Sequence, residues 1–187
     1  MRPPLLVLLF VALTSCMAEA GQSTPVDPSA PTIPTVDYDK KLQAMGITLP
    51  QMSAPVANYV HAAPAGKLLF LAGKGPQNAQ GENITGKLGI DLTVKEGYEA
   101  ARLVAIRQLA VLKAELGDLN RVKRIVKVVG MVNAAPDFEN HPEVINGFSD
   151  LMVDVFGESG KHARAAVGMG SLPRNIAVEI DVVVEIY

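Results

Sequence analysis

The stretch RAAVGMGSLPRNIAVEIDVVVEIY, residues 164–187, decides the fold of this chain. It reads as a strand, a turn at Leu172-Pro173 and a long closing strand, so we expect a terminal hairpin. Side chains on a strand alternate between its two faces. One face of the closing strand is entirely aliphatic and is predicted to meet the core: Ile176, Val178, Ile180, Val182, Val184 and Ile186.

The other face of this strand carries Glu179, Asp181 and Glu185 among apolar neighbours. Carboxylates inside an apolar segment are costly unless they are paired. Arg164 is the nearest candidate partner in the sequence. The pattern is compatible with a structural ion pair to Glu179 or Asp181 and with a functional site, and any chemistry is expected here.

Composition bounds the class of protein. The chain has 187 residues, which indicates one domain with appendages, and 49% of them are hydrophobic. A net charge of −2 argues against a nucleic-acid partner or a membrane-surface patch. A single cysteine excludes an intramolecular disulfide and a cysteine-rich zinc site. The three histidines, His61, His141 and His162, lack ligand spacing, so no metal site is expected.

The N-terminus is typical of a signal peptide, predicted over residues 1–20, because Met1-Arg2 precede a short apolar run. Two cleavage sites compete. Leu13-Thr-Ser-Cys16 is similar to a bacterial lipobox in which Cys16 is lipidated, whereas Ala18-Glu-Ala20 suits ordinary signal peptidase. Either one predicts export to the periplasm, with membrane attachment only through the signal or a lipid anchor. Residues 21–54 are predicted to form a Pro-rich tether.

Within that tether a short helix is predicted over Asp37–Met45, ended by Gly46. The following domain, residues 55–187, reads β-β-α-β-α-β-β, an α+β sheet with two helices on one face. The other face of the sheet is too apolar to be left exposed to solvent, which favours burial of that face by oligomerisation. The predicted elements before the terminal strands are a strand over 58–63, a turn over 64–66, a strand over 67–72, a helix from the Thr93/Glu96 capping box to Gly117, a strand over 121–132 and a helix from Pro142 to Gly157.

This element order, with Ala163-Arg164 leading to Leu172-Pro173 and then to Val178-Glu-Ile-Asp181, resembles the RidA (YjgF) family of reactive-intermediate deaminases. The resemblance covers about residues 55–187. It implies a chorismate mutase-like fold and a homotrimer with clefts between subunits. Longer phrases, such as Val-Ile-Asn-Gly at 144–147, resemble a bacterial RidA-like subgroup, here expected to be exported.

The resemblance also implies an activity and a site. A 2-imino acid, or the enamine from which it forms, is hydrolysed to a 2-keto acid and ammonia without a cofactor. Arg164 binds the substrate carboxylate, and Glu179 positions or activates water. Tyr59 lines the cleft and Asn146 supports the site, although Tyr59 is equally compatible with a core or interface aromatic. The implied partners are a small carboxylate substrate and two further copies of the chain.

The sequence departs from the family pattern at Ala72-Gly73-Lys74, where deaminases have Ser-Gly-Gln, and at Ala166, where a small polar residue is usual. Lys74 is therefore either a second anion contact in the cleft or a solvated loop charge. These changes leave the substrate open. They also leave an alternative function, a non-catalytic envelope protein that binds small carboxylates or acts like a chaperone.

Overall fold

The computed structural model describes residues 35–55 and 57–187. The predicted signal peptide, Cys16 and the first part of the tether lie outside these residues. Within the described part, no helix is long and apolar enough to cross a membrane.

Five strands form one sheet in the order β1-β2-β5-β3-β4. The strands are β1 (Ala62–Ala65), β2 (Leu68–Lys74), β3 (Val122–Asn133), β4 (Ala163–Met169) and β5 (Val178–Ile186). β5 lies at the centre and is antiparallel to both β2 and β3. Its predicted core face is confirmed, since Val178, Ile180 and Val184 are fully buried.

The predicted terminal hairpin is wrong, because β4 and β5 do not pair with each other. β3 lies between them and runs parallel to β4. Parallel strands need a crossover connection, and the helix between β3 and β4 supplies it. The Leu172-Pro173 segment therefore carries the chain past β3, and Arg174 and Asn175 in this segment have φ angles of 56° and 57°.

Two long helices, α2 (Val94–Leu116) and α3 (His141–Phe156), cover one face of the sheet, as predicted. Thr93 and Glu96 form the capping box, and Gly117 and Gly157 are the C-caps. The helices pack tightly at Gly147 of α3, where an added Cβ would overlap the backbone carbonyl of Tyr98.

The predicted short helix is confirmed as α1 (Tyr38–Ala44), with Asp37 as its N-cap. Although it falls in the predicted tether, it lies against the domain. Leu42 is buried in the main core, and the rings of Tyr38 and Phe156 are 5.4 Å apart. Residues 38–44 are therefore part of the folded unit.

The first strand lies later than predicted, at 62–65 rather than 58–63, and Pro64 belongs to it. β1 is an edge strand, where the missing N–H of proline is tolerated. Tyr59 consequently lies in the loop that precedes the sheet.

Candidate functional site

The predicted site residues fall into two groups on the described chain. Tyr59, Lys74 and Glu179 line one cleft of about 290 Å³. Arg164 lies at the β4 edge and contacts Asn146 on α3.

Arg164 and Glu179 lie on opposite faces of the sheet. In the strand register, Arg164 is opposite Val128, which is buried beneath the helices, and Glu179 is opposite Met131, on the other face of β3. The strands that carry them are separated by β3, so their backbones are about 10 Å apart across the sheet. One small ligand could not touch both side chains of a single chain.

Arg164 is held by neutral groups. Its Nη1 donates to Oδ1 of Asn146 at 2.9 Å and to Oγ of Ser149 at 3.0 Å, and its Nη2 donates to the Pro142 carbonyl at 3.5 Å. Within residues 35–55 and 57–187, it forms no ion pair, so the expected pair with Glu179 or Asp181 is not made inside the chain. The guanidinium charge is therefore not neutralised by a carboxylate of the described residues.

Ser149 and His162 extend this hydrogen-bonded arrangement, although Ser149 was not among the residues predicted from the sequence. His162 Nδ1 lies 2.7 Å from the Gly160 carbonyl and must donate to it, because a carbonyl only accepts. In the neutral ring Nε2 then accepts from Ser149 Oγ, 3.0 Å away. Burial, together with the charge of Arg164, lowers the pKa of His162 and favours this neutral form.

Three of these side chains, those of Ser149, His162 and Arg164, line a shallow cavity of about 240 Å³ beside α3. Its lining comprises Ser149, Val153, Lys161, His162 and Arg164. The only signal for Ser149 in the sequence is its spacing of three residues from Asn146, which places both on one face of a helix.

Glu179 stands directly over Gly73 in the larger cleft. An added Cβ at Gly73 would overlap the Glu179 carboxylate, so this position has no room for a side chain. Burial raises the pKa of Glu179, and the nearby charge of Asp181 raises it further, while Lys74 opposes the shift. A half-buried carboxylate with a raised pKa, open to a cleft, is suited to accept a proton from water.

Lys74 is not a solvated loop charge, because it ends β2 and is only 5% exposed. A register shift between Leu71 and Lys74 in the β2–β5 pairing interrupts the strict alternation of the strand. Its Nζ lies 3.2 Å from the Ala72 carbonyl and 3.4 Å from the Gly73 carbonyl. Burial lowers the pKa of Lys74, and the charge of Arg107 lowers it further.

Arg107 of α2 also lines the larger cleft, although it was not among the residues predicted from the sequence. Its Nη1 donates to the Gly75 carbonyl at 2.6 Å. Tyr59, which is half-exposed, lines the same cleft. One sequence signal could have identified Arg107. It is a charged residue on α2 that lies between Ala105 and Gln108, two positions on the buried side of the helix.

Among the described residues, no group of three or more His, Cys, Asp or Glu side chains could hold a metal ion.

Comparison with known proteins gives consistent matches. Residues 39–186 match a family model described as "YjgF/chorismate_mutase-like, putative endoribonuclease". The chain is 48% identical to Protein TCP17 of Trypanosoma cruzi over 146 residues, which is 78% of this chain and 91% of that protein. It is 31% identical to the RutC family protein PH0854 of Pyrococcus horikoshii over 130 residues, or 69% of this chain and 87% of that protein.

Among solved structures, a crystal structure of Atu1372 from Agrobacterium tumefaciens, described as of unknown function, is similar. It is 44% identical, with a TM-score of 0.74 over 80% of this chain and 94% of that chain. The strand order, the helix layer and these matches agree, and the chain therefore belongs to the YjgF (RidA) family.

Proposed function

We propose that this protein hydrolyses 2-imino acids, and the enamines that tautomerise to them, to 2-keto acids and ammonia. The observation that carries the proposal is the division of the site between two faces of the sheet. Arg164 offers a carboxylate-binding guanidinium at the β4 edge, and Glu179 offers a carboxylate base in a separate cleft that does not contain Arg164. The proposed reaction needs both groups.

The two halves meet, in this proposal, where copies of the chain associate as a homotrimer. The outer sheet face supports such an association, because Phe70 is 45% exposed there and the apolar Val129, Met131 and Val183 are only partly buried. A threefold arrangement would place the β4 edge of one copy against the cleft of the next, giving three equivalent sites.

Arg164 is suited to hold the substrate carboxylate. Asn146 and Ser149 occupy Nη1, which leaves the Nε proton and an Nη2 proton for the two carboxylate oxygens. This contact fixes the imine carbon in one place relative to the neighbouring cleft.

Glu179 then acts as the general base. It takes a proton from water while the water oxygen bonds to the imine carbon and the C=N π electrons move to nitrogen. Glu179 passes that proton to the nitrogen, which gives a neutral carbinolamine. Glu179 then takes the hydroxyl proton and passes it to the nitrogen as the carbon–nitrogen bond breaks, so ammonia leaves, the hydroxyl carbon becomes the keto group and Glu179 is again ionised. One water is consumed, and no oxidant or reductant is needed.

The test is the rate of keto-acid release from imines generated in situ by an amino-acid oxidase, with and without the purified protein. We expect acceleration by the wild type and its loss in Arg164→Ala and Glu179→Gln, with the oligomer size unchanged. Lys113→Ala is the control, because Lys113 lies on α2 outside both clefts, where it pairs with Asp39.

Identical rates for the wild type and Arg164→Ala would overturn the proposal. Thermal stabilisation by a 2-keto acid, lost in Arg164→Ala but without any turnover, would instead favour the non-catalytic carboxylate-binding function.

A further inference from the structure

Two cations line the larger cleft, apart from Arg164 of the same chain. Lys74 ends β2 and Arg107 projects from α2, and both line the cleft next to Glu179. Within the described ranges, neither has a carboxylate oxygen within 4.0 Å of its side-chain nitrogens. Their hydrogen bonds go to the backbone carbonyls of Ala72, Gly73 and Gly75 instead.

The charges that line this cleft do not balance. Lys74, Arg107 and Arg174 contribute three positive charges to the lining of this cleft, against the single carboxylate of Glu179, so the positive charges exceed the negative by two. The whole chain has a net charge of −2, so this excess is local. Burying a cation without a counter-ion costs free energy of folding. Lys74 is only 5% exposed, so this cost applies to Lys74 in particular.

Both cations keep donors for a ligand. A lysine ammonium has three N–H donors, and an arginine guanidinium has five. Lys74 uses two of its donors at the long distances of 3.2 and 3.4 Å, and Nη1 of Arg107 makes one bond, to Gly75. An anionic group entering the cleft could therefore take at least one donor from each.

We propose that Lys74 and Arg107 form a second anion subsite, so that the preferred substrate is a 2-imino dicarboxylate, an imino acid with an acidic side chain. This inference rests on the proposed function. The 2-carboxylate binds Arg164 of a neighbouring copy, the imine carbon lies at Glu179, and the distal carboxylate binds Lys74 and Arg107.

The experiment compares kcat/KM for the imines of alanine and glutamate, in the wild type and in Lys74→Gln. We expect the wild type to prefer the glutamate imine, and Lys74→Gln to lose about tenfold or more on that imine alone, since removal of a buried charge partner is costly. Lys113→Gln, which alters an ion pair with Asp39 outside the cleft, is the control and should change neither value.

Binding provides a readout that does not need turnover. Calorimetry of the intact oligomer with pyruvate and with 2-oxoglutarate should show tighter binding of 2-oxoglutarate, and equal binding of the two by Lys74→Gln. Thermal melting of the variant checks that it is folded.

Equal handling of both acids by the wild type, or equal losses on both in Lys74→Gln, would overturn the subsite and leave the proposed function standing. An Arg164→Ala variant that hydrolyses or binds both acids as the wild type does would instead remove the proposed function. A Lys74→Gln variant that keeps its preference for the dicarboxylate would show that the distal group binds elsewhere.

Discussion

Asn146 accepts a hydrogen bond of 2.9 Å from Nη1 of Arg164, and this contact fixes the plane of the guanidinium at the edge of the sheet. Because the acceptor is an amide, it orients the arginine without neutralising it. The distinction between an amide and a carboxylate at position 146 therefore matters for binding an anion.

Replacing Asn146 by aspartate should raise KM by about tenfold or more, because the new carboxylate competes with the substrate for Arg164 through a charge-assisted bond. Asn146→Ala should cost less, since it removes only the orienting contact. Steady-state kinetics on an imino acid measure both effects. A KM for Asn146→Asp equal to that of the wild type would show that Arg164 does not bind the substrate carboxylate.

Asp181→Asn should move the acid limb of the pH–rate profile to lower pH. Glu179 must be ionised to act as a base, so activity falls as pH falls through its raised pKa. Burial is the main cause of that raised pKa and the charge of Asp181 is the second, so removing this charge lowers the pKa of Glu179. The measurement is kcat/KM from pH 4 to 8, and an unmoved acid limb would contradict the assignment of Glu179 as the base.

Glu179→Gln should raise the melting temperature at neutral pH, even though it abolishes activity. A carboxyl whose pKa is raised by folding contributes stability below its unfolded pKa, and this is lost as pH rises through the folded pKa. Glutamine removes the charged form that burial disfavours. The gain in melting temperature should be larger at pH 7 than at pH 4, where the native carboxyl is protonated, and a gain that is equal at both would argue against burial as the cause.

His162→Gln should make the protein less sensitive to mild acid. The folded-state pKa of His162 lies below its ordinary value of 6.5, so the unfolded chain binds more protons. The wild type therefore loses stability as pH falls from about 6.5 toward the folded pKa. Melting temperatures at pH 7.5 and 5 should differ less in His162→Gln than in the wild type. Lys161→Gln, at an exposed neighbouring position, should keep the full difference.

Gly147→Ala should destabilise the fold by about 1–3 kcal/mol, because the added methyl overpacks the contact between α2 and α3. Helix propensity alone predicts the opposite sign, since alanine is the better helix former. Gly170→Ala is the matched control, with no atom within 4 Å of its added Cβ. The measurement is the free energy of unfolding by denaturant for the wild type, Gly147→Ala and Gly170→Ala. A Gly147→Ala variant as stable as the wild type would show that the two helices can move apart.

Local signals in the sequence predicted much of the fold. The Thr93/Glu96 capping box, the glycines that end α2 and α3, and the alternation along β5 act over a few residues, and the structure has them all. The terminal hairpin failed because β4 and β5 are adjacent in sequence but are separated by β3, which comes from far earlier in the chain. Strand order is a long-range property that local periodicity does not contain.

The candidate site, like the fold, could be predicted from the sequence only in part. Resemblance to the family supplied Arg164, Glu179, Tyr59 and Asn146 as candidates, but a list of residues does not say on which sheet face each one lies. The burial of Lys74 depends on the irregular pairing at the end of β2, and the place of Arg107 depends on how α2 lies over the sheet. Neither is visible in the spacing of residues along the chain.

The close approach of α2 and α3 at Gly147 has a mechanical consequence. Arg107 belongs to α2 and contributes to one cleft, whereas Asn146 belongs to α3 and steadies Arg164, which serves another cleft in the proposed trimer. Because Gly147 has no side chain, the backbones of α2 and α3 lie close together there, and the two helices have little freedom to slide against each other. The contact at Gly147 therefore fixes the helix that carries Arg107 relative to the helix that carries Asn146, and through Asn146 it fixes the position of Arg164.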